Sequence, residues 1–166
     1  MSSLTNKILD SIDLLILDKL QRSSDISNAE LGKQVNLSPP ATHARIKRLV
    51  SEGYINRQVA ILDQEKLGFD LLSFVFISTD IHHAEKLEVL EQNLIDMQEV
   101  LECYCLTGEF DYVLKVANKD RRDLEGFIRK LNKLGISRIQ TTLALREVKQ
   151  STILPIANFG SNLSNT

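Results

Sequence analysis

The chain has 166 residues, 43% hydrophobic and 25% charged, with seven glycines, three prolines and no tryptophan, a make-up that fits one or two small globular domains and excludes a fibre or a disordered polymer. Its net charge of −2 conceals an asymmetry: residues 1–62 hold 8 Lys and Arg against 6 Asp and Glu, the remainder 12 against 16, so the halves are expected to meet different partners. No apolar run approaches the roughly 20 residues of a membrane span, and the opening MSSLTNKILDSID has acids where a signal peptide would be basic and then apolar, so a cytoplasmic location is expected.

The first helix is expected from about Ile12, entered at Asp10 or Ser11. In IDLLILDKLQRS, Ile12, Ile16 and Leu20 repeat at i, i+4, i+8 beside Leu15 and Leu17, which makes one apolar stripe. Ser27 and Glu30 in SNAEL have capping-box spacing, so a short second helix starts at Asn28, buries Leu31 and Val35, and ends near Asn36. Ser38 then caps a third helix whose first position is Pro39, where a missing N–H costs nothing, and Gly53 stops it after Glu52. The following YINRQVAIL has strand character. Three helices, the last two joined by a tight turn, then a strand, outline a winged helix-turn-helix.

On a wheel centred on Ile46, Thr42, Leu49 and Val50 fall within about 60° of the core direction. The opposite side displays Ala41, Ala44, Arg45, Lys47, Arg48 and Ser51, three cations with no acid among them on the helix. Small alanines beside long cations let a helix sit deep in the major groove, where arginine and lysine reach guanine edges or phosphates. The amides near Ser38 are placed to hold a phosphate, and His43 lies on the same helix. The expected DNA-contact set is Ser38, Pro40, Ala41, Thr42, His43, Ala44, Arg45, Lys47 and Arg48. The plainer reading is a solvated helix face with an excess of base.

From Leu71 the period changes. LLSFVFIST reads as a strand, AEKLEVLEQNLI as a helix with Leu87, Leu90 and Leu94 on one stripe, VLECYCLT and YVLKVAN as two more strands. Asp120 caps RRDLEGFIRKLNKL, whose buried face is Leu124, Phe127, Ile128 and Leu131, and Gly135 ends it. In the last strand, ISRIQTTLALREV, Ile139, Thr141, Leu143 and Leu145 alternate. The order βαββαβ is a ferredoxin-like split plait, so the fold class expected is α+β, a winged helix-turn-helix joined to a ferredoxin-like domain. The expected division is residues 1–55 for DNA binding, 56–70 for a linker strand and connection, 71–156 for the plait and 157–166 for a flexible tail. The plait strands are apolar on both sides: Leu72, Phe74 and Phe76 oppose Val75 and Ile77, and Tyr104 and Leu106 oppose Cys103 and Cys105. Two helices cover one face only, so burial of the other against a second copy is expected, which would also present two recognition helices to a palindromic site.

Cys103 and Cys105, at i, i+2 on one strand, are too far apart for a good disulfide and read as reduced core thiols. His82 and His83 sit in a loop with no acid or cysteine placed to complete a metal site, and no nucleophile, base and orienting group come together, so neither a metal, a cofactor nor an enzyme is expected. The turn TGEFDY, residues 107–112, has two readings. Gly108 and Asp111 are turn residues, the reading the residues by themselves favour; in the second, the loop's amides, the Thr107 hydroxyl and the Asp111 carboxylate, with Glu109 between them, could take a small zwitterion, with Asp111 on the amino group and amides near Gly108 on the carboxylate.

In order and spacing, LDSIDLLILDKLQ, ISNAELGKQVNLSPPATHARIKRLVSEGYI, TGEFDYVLKV and LREVKQSTILPI resemble the Lrp/AsnC family, the leucine-responsive and asparagine (feast/famine) transcription regulators, from about Leu9 to Ile156. The resemblance implies a winged helix-turn-helix, a linker strand and an effector domain that dimerises and assembles further to tetramers or octamers. It implies a recognition helix over residues 39–52, with Arg45 matching the family's arginine and Ser38 its capping serine. It also implies amino-acid binding at the G-x-x-D-Y signature, here Gly108, Asp111 and Tyr112, at the seam between dimers, with Arg121, Thr142 and Ala144 as further wall positions. Arg121 and Arg122 depart from the smaller or apolar residues common there in leucine-sensing relatives, so a long cation would pair with an acidic ligand or fill the site. The function expected is a sequence-specific DNA-binding regulator of amino-acid metabolism tuned by a small amino acid. The alternative is an architectural protein that compacts DNA and ignores small molecules.

Overall fold

A computed structural model describes residues 9–156; the tail expected to be flexible, residues 157–166, lies outside them. The described chain forms two compact units, one running to Ile61 and taking up the residues from Lys149, the other Leu62–Val148.

In the first unit, α1 (Ser11–Arg22) opens with a capping box made of two aspartates: the Asp10 carboxylate accepts the Asp13 amide at 2.7 Å and the Asp13 carboxylate accepts the Asp10 amide at 3.2 Å. The short α2 (Asn28–Val35) starts at Ser27, whose hydroxyl accepts the Glu30 amide, and stops at Asn36 in the left-handed region. Ser38 caps α3 (Pro39–Ser51), with Pro39 at its first position. Ile16, Leu20, Leu31, Val35 and Leu49 form the core of the unit. Val50 was expected near that core but is half exposed, because the core takes the Thr42 and Leu49 edge of the α3 stripe and leaves the other edge uncovered.

Residues 54–62, expected as a strand, join no sheet among the described residues: Tyr54 and Ile55 bend back so that their N–H groups both go to the Leu49 carbonyl, and the rest pair with no strand. Residues from Lys149, which the sequence suggested belong with the second domain, are fastened here to α1. The Gln21 side-chain amide bonds both backbone groups of Leu154, donating to its carbonyl at 3.0 Å and accepting its N–H at 2.9 Å. Between α1, residues 54–61 and this returning segment lies an apolar cleft of about 640 Å³.

In the second unit, β1 (Leu71–Thr79), α4 (Ala84–Ile95), β2 (Val100–Cys105), β3 (Tyr112–Asn118), α5 (Arg121–Asn132) and β4 (Ile136–Leu143) follow the expected βαββαβ order. The sheet is antiparallel with strand order β2-β3-β1-β4, so the first and third strands are central. Val75, Ile77, Tyr112, Leu114 and Val116 pack with Leu90 and Leu94 of α4 and Phe127 and Leu131 of α5 into one core. The alternation along β1 leaves Leu72, Phe74 and Phe76 on the opposite face, where the helices do not reach. That face is mixed rather than wholly apolar, since Lys115 pairs with Glu102 at 3.0 Å and the Tyr104 hydroxyl donates to the same carboxylate. Cys105, expected in the core, is exposed because β2 is an edge strand; Cys103 is half-buried, and both are free. Leu145, expected to continue the alternation of the last strand, lies past its end and is almost fully exposed.

The tightest approach in the first unit is at Gly32. A Cβ there would stand 2.7 Å from the Leu37 carbonyl oxygen and 2.9 Å from Thr42 Oγ1, so only glycine lets α2 meet the start of α3. Gly32→Ala is expected to destabilise the protein by about 1–3 kcal/mol, the usual range for overpacking, despite alanine's better helix propensity. Urea unfolding of variant and parent measures it.

Candidate functional site

Two groups of expected site residues are separately placed. On α3, Ser38, Pro40, His43, Ala44 and Lys47 are exposed and Ala41 is partly so, which forms an outward face of small and basic residues. His43 Nδ1 lies 3.2 Å from the Asn28 side-chain amide, which ties the start of α2 to this face. Thr42, counted among the expected contacts, is fully buried: its hydroxyl donates to the Ser38 carbonyl at 3.0 Å and its side chain fills the space over Gly32. It fixes the turn between the helices and is out of reach of any ligand.

Arg45 and Arg48 have acid partners that the sequence of the helix does not reveal. Arg45 Nη1 donates to Asp10 Oδ2 at 2.6 Å and to Asp13 Oδ1 at 2.8 Å. Arg48 Nη2 lies 2.5 Å from Asp13 Oδ2, an ion pair whose N–H bonds are not aimed at the carboxylate, and its Nε stands 4.0 Å from Glu52. Asp13 is 1% exposed and Asp10 50%, so one acid is sealed between α1 and α3 while the other faces water. Burial works to raise the Asp10 carboxyl, but the Arg45 hydrogen bond and the Asp13 amide outweigh it and hold the group below the usual carboxylate value; hydrogen bonds to the Asp10 and Asp13 carboxylates push the Arg45 guanidinium up. Two residues that the sequence reading missed therefore belong to this site. Their signal was the pair of acids three apart at the start of α1, which reads as a cap and a dipole match until α3 lies against it.

In the second unit the loop between β2 and β3 is pinned at several points. The Asp111 backbone takes both the Leu106 N–H and the Ile77 carbonyl, and its Oδ2 accepts the Thr79 amide at 2.8 Å. Glu109 accepts from Arg138 Nη1 at 2.7 Å; that guanidinium also lies over the Phe110 ring, 4.6 Å from its centre, and Phe110 packs on Phe76. Gly108 has φ +130°, a conformation open to glycine, and Thr107, Gly108 and Glu109 are exposed. Tyr112, expected at the ligand, turns its ring into the core under α4 and donates its hydroxyl to Glu91 at 2.8 Å; burial and then this carboxylate push the phenol well above its ordinary value. It supports the loop from below.

Ala144 and Arg121 stand at the far end of β1 from that loop, and Thr142 lies part-way along the strand. Asp111 bonds to Ile77 and Thr79, whereas the Ala144 amide bonds to Leu72 and Thr142 lies opposite Phe74. From Ile77 to Leu72 is five residues of strand, about 17 Å at 3.3 Å each. Arg121 follows Asn118, which lies opposite Leu71, and so stands at the same far end. Among the described residues no group of three or more His, Cys, Asp or Glu is gathered to hold a metal ion, and no helix is long and apolar enough to cross a membrane.

Asp13→Ala would remove half of the capping box and leave Arg45 and Arg48 facing an apolar side chain. A loss of about 2–4 kcal/mol is expected, below the full cost of orphaning a buried charge because both guanidiniums keep some access to water. Denaturant unfolding checks it, with Arg22→Ala, an exposed pair on the same helix, expected within about 0.5 kcal/mol of the parent.

Comparison with known proteins matches this geometry on both units. The chain matches a winged helix-turn-helix DNA-binding domain over residues 9–56 and the Lrp/AsnC ligand binding domain over residues 72–154. It is 34% identical over 151 residues to the transcriptional regulator AzlB of Bacillus subtilis, covering 90% of this chain and 96% of that protein. It is 35% identical over 151 residues to the leucine-responsive regulatory protein of Haemophilus influenzae, covering 90% and 91%. Its fold superposes with a TM-score of 0.86 on a transcriptional regulator of Neisseria meningitidis in complex with L-Met, at 30% identity over 92% of this chain and 99% of that one. A helix-turn-helix with a basic outer face, a βαββαβ plait and full-length likeness to these regulators have one reading: the chain belongs to the Lrp/AsnC family of transcription regulators and is not an enzyme.

Proposed function

We propose that the protein is a sequence-specific DNA-binding regulator of amino-acid metabolism whose assembly or DNA affinity is tuned by a small amino acid. The observation that carries the first part is the outer face of α3, where Ser38, Pro40, Ala41, His43, Ala44 and Lys47 stand clear of the core and Arg45 and Arg48 are braced at its edge. Phosphates would supply most of the affinity, through Arg45, Lys47 and the amides at Ser38, while Arg48 and the small residues that let the helix approach supply sequence choice. It acts beside the chromosome, in the cytoplasm, with double-stranded DNA as its partner and no cofactor.

The second part rests on the pinned loop. Thr107, Gly108 and Glu109 are presented at its surface, and Asp111 uses one carboxylate oxygen on Thr79, which leaves the other for an amino group. Arg121 and Ala144 lie at the far end of β1 from this loop, with Thr142 part-way along it, so a site that uses all of them draws on the far end of a second copy. The uncovered sheet face with Phe74 and Phe76 supports a homodimer, and the split site supports further assembly of dimers. Ligand at such a seam favours one assembly and with it one spacing of recognition helices.

Selection from a random duplex pool by the purified protein is expected to enrich a defined, two-fold-related sequence, and Arg45→Gln is expected to weaken binding to every duplex while keeping the oligomer. Enrichment of no sequence would favour ligand-independent DNA compaction instead. A thermal-shift screen against the common amino acids is expected to give one strong hit, with about 2.7 kcal/mol of stabilisation at one hundred times its dissociation constant. Asp111→Asn keeps an acceptor for the Thr79 amide and removes the charge, so it should abolish that hit; a full response in the variant would put the ligand elsewhere.

A further inference from the structure

Arg45 shares one nitrogen between two carboxylates of very different accessibility. Asp13 is sealed, with its oxygens spread over Arg45, Arg48 and the Asp10 amide. Asp10 is half exposed, and it divides its work between its oxygens: Oδ1 accepts the Asp13 amide and so caps α1, while Oδ2 holds Arg45. Releasing Arg45 therefore costs the helix cap nothing. A phosphate that approaches this edge of α3 meets an anion 2.6 Å from the guanidinium it would bind. At that range salt does not screen the repulsion, since the Debye length is about 8 Å at physiological ionic strength. Either the phosphate stays away or Asp10 lets go.

We propose that Asp10 is the exchangeable partner of Arg45: in the free protein it holds the guanidinium, and on DNA a backbone phosphate takes its place while Asp13 keeps its grip. Asp10 is thus an electrostatic brake on the recognition helix and Asp13 the anchor that keeps the arginine aimed. The brake acts on DNA of any sequence, because what it competes with is phosphate. A single braked helix binds poorly, and occupancy then depends on how many helices an assembly brings to the same DNA at once. The inference rests on the reading of α3 as the DNA-contact helix and adds the residue that sets its strength.

Asp10→Asn separates the two roles, since asparagine is an equally good N-cap and has no charge to offer Arg45. The test is fluorescence-anisotropy titration of a labelled 40-base-pair duplex of random sequence with the full chain, over a series of KCl concentrations. Asp10→Asn is expected to bind about tenfold more tightly at 0.1 M salt with the slope of log K against log salt unchanged, because a phosphate reaches Arg45 in both complexes; a steeper slope in the variant would mean that Arg45 stays on Asp10 in the parent complex and overturns the exchange. In an Arg45→Gln background the same change should have no effect. Unchanged or weaker binding by Asp10→Asn overturns the exchange, as does equal tightening with and without Arg45, which would make it a general charge effect. If Asp10→Asn melts early, Asp10→Ser, another good cap without charge, takes its place with the same outcomes. A parent protein that binds no duplex would overturn the DNA-interface reading as well; a parent that binds while Asp10→Asn matches it overturns the exchange alone.

Discussion

One buried carboxylate, Asp13, organises the DNA-binding unit. It closes the cap of α1 from its third position, accepts from Arg45 and lies against Arg48, all while 1% exposed. A charge so placed is tolerated only because two guanidiniums and a backbone amide surround it. The consequence is geometric as much as energetic, since it locks the rotation of α3 about its own axis relative to α1. Given that rotation, Leu49 and Thr42 point inward and Lys47, His43 and Ala44 outward. Gly32 then sets how closely α2 approaches the same helix. The outward face of α3 is thereby held in one orientation by contacts within the protein.

The second unit uses a carboxylate in the same way. Asp111 bonds the end of β1 through its side chain and both neighbouring strands through its backbone, and the Arg138, Glu109 and Phe110 cluster clamps the loop from the other side. A loop held this firmly presents Thr107, Gly108 and Glu109 at its surface in one arrangement. The sheet beneath it has one face committed to α4 and α5 and another that displays phenylalanines beside an ion pair. A face of that mixed kind is suited to a partner that buries the rings and leaves the charges at the rim.

Much of this was legible in the chain itself. Four of the five helix starts were marked by a side chain that accepts orphan amides, at Asp10 (read with Ser11 as the alternative), Ser27, Ser38 and Asp120, and caps were found at these four, whereas α4 follows His83 with no side-chain cap. The alternation in LLSFVFIST and YVLKVAN named the two central strands and sorted their faces, because a strand's period of two leaves no freedom once one face is buried. The periods also sufficed for the βαββαβ order. The segment 54–62 had equal strand character and joined no sheet, since alternation states a preference whereas a ladder needs a second backbone beside it.

The site was legible in kind and not in detail. Sequence by itself determined the caps, the helical stripes, the two faces of the plait and the basic outer surface of α3, all of which follow from neighbours within a few residues. Only the tertiary structure decided that Arg45 and Arg48 answer to acids 32 to 35 positions away, that Thr42 is sealed over Gly32, that the Tyr112 hydroxyl reaches Glu91, and that Ala144 stands at the opposite end of β1 from Gly108. The physical reason is common to all four. Local conformation is governed by periods and caps that repeat along the chain, whereas the partner of a charge or a hydroxyl is whatever distant side chain the packing of one element on another brings within 3 Å.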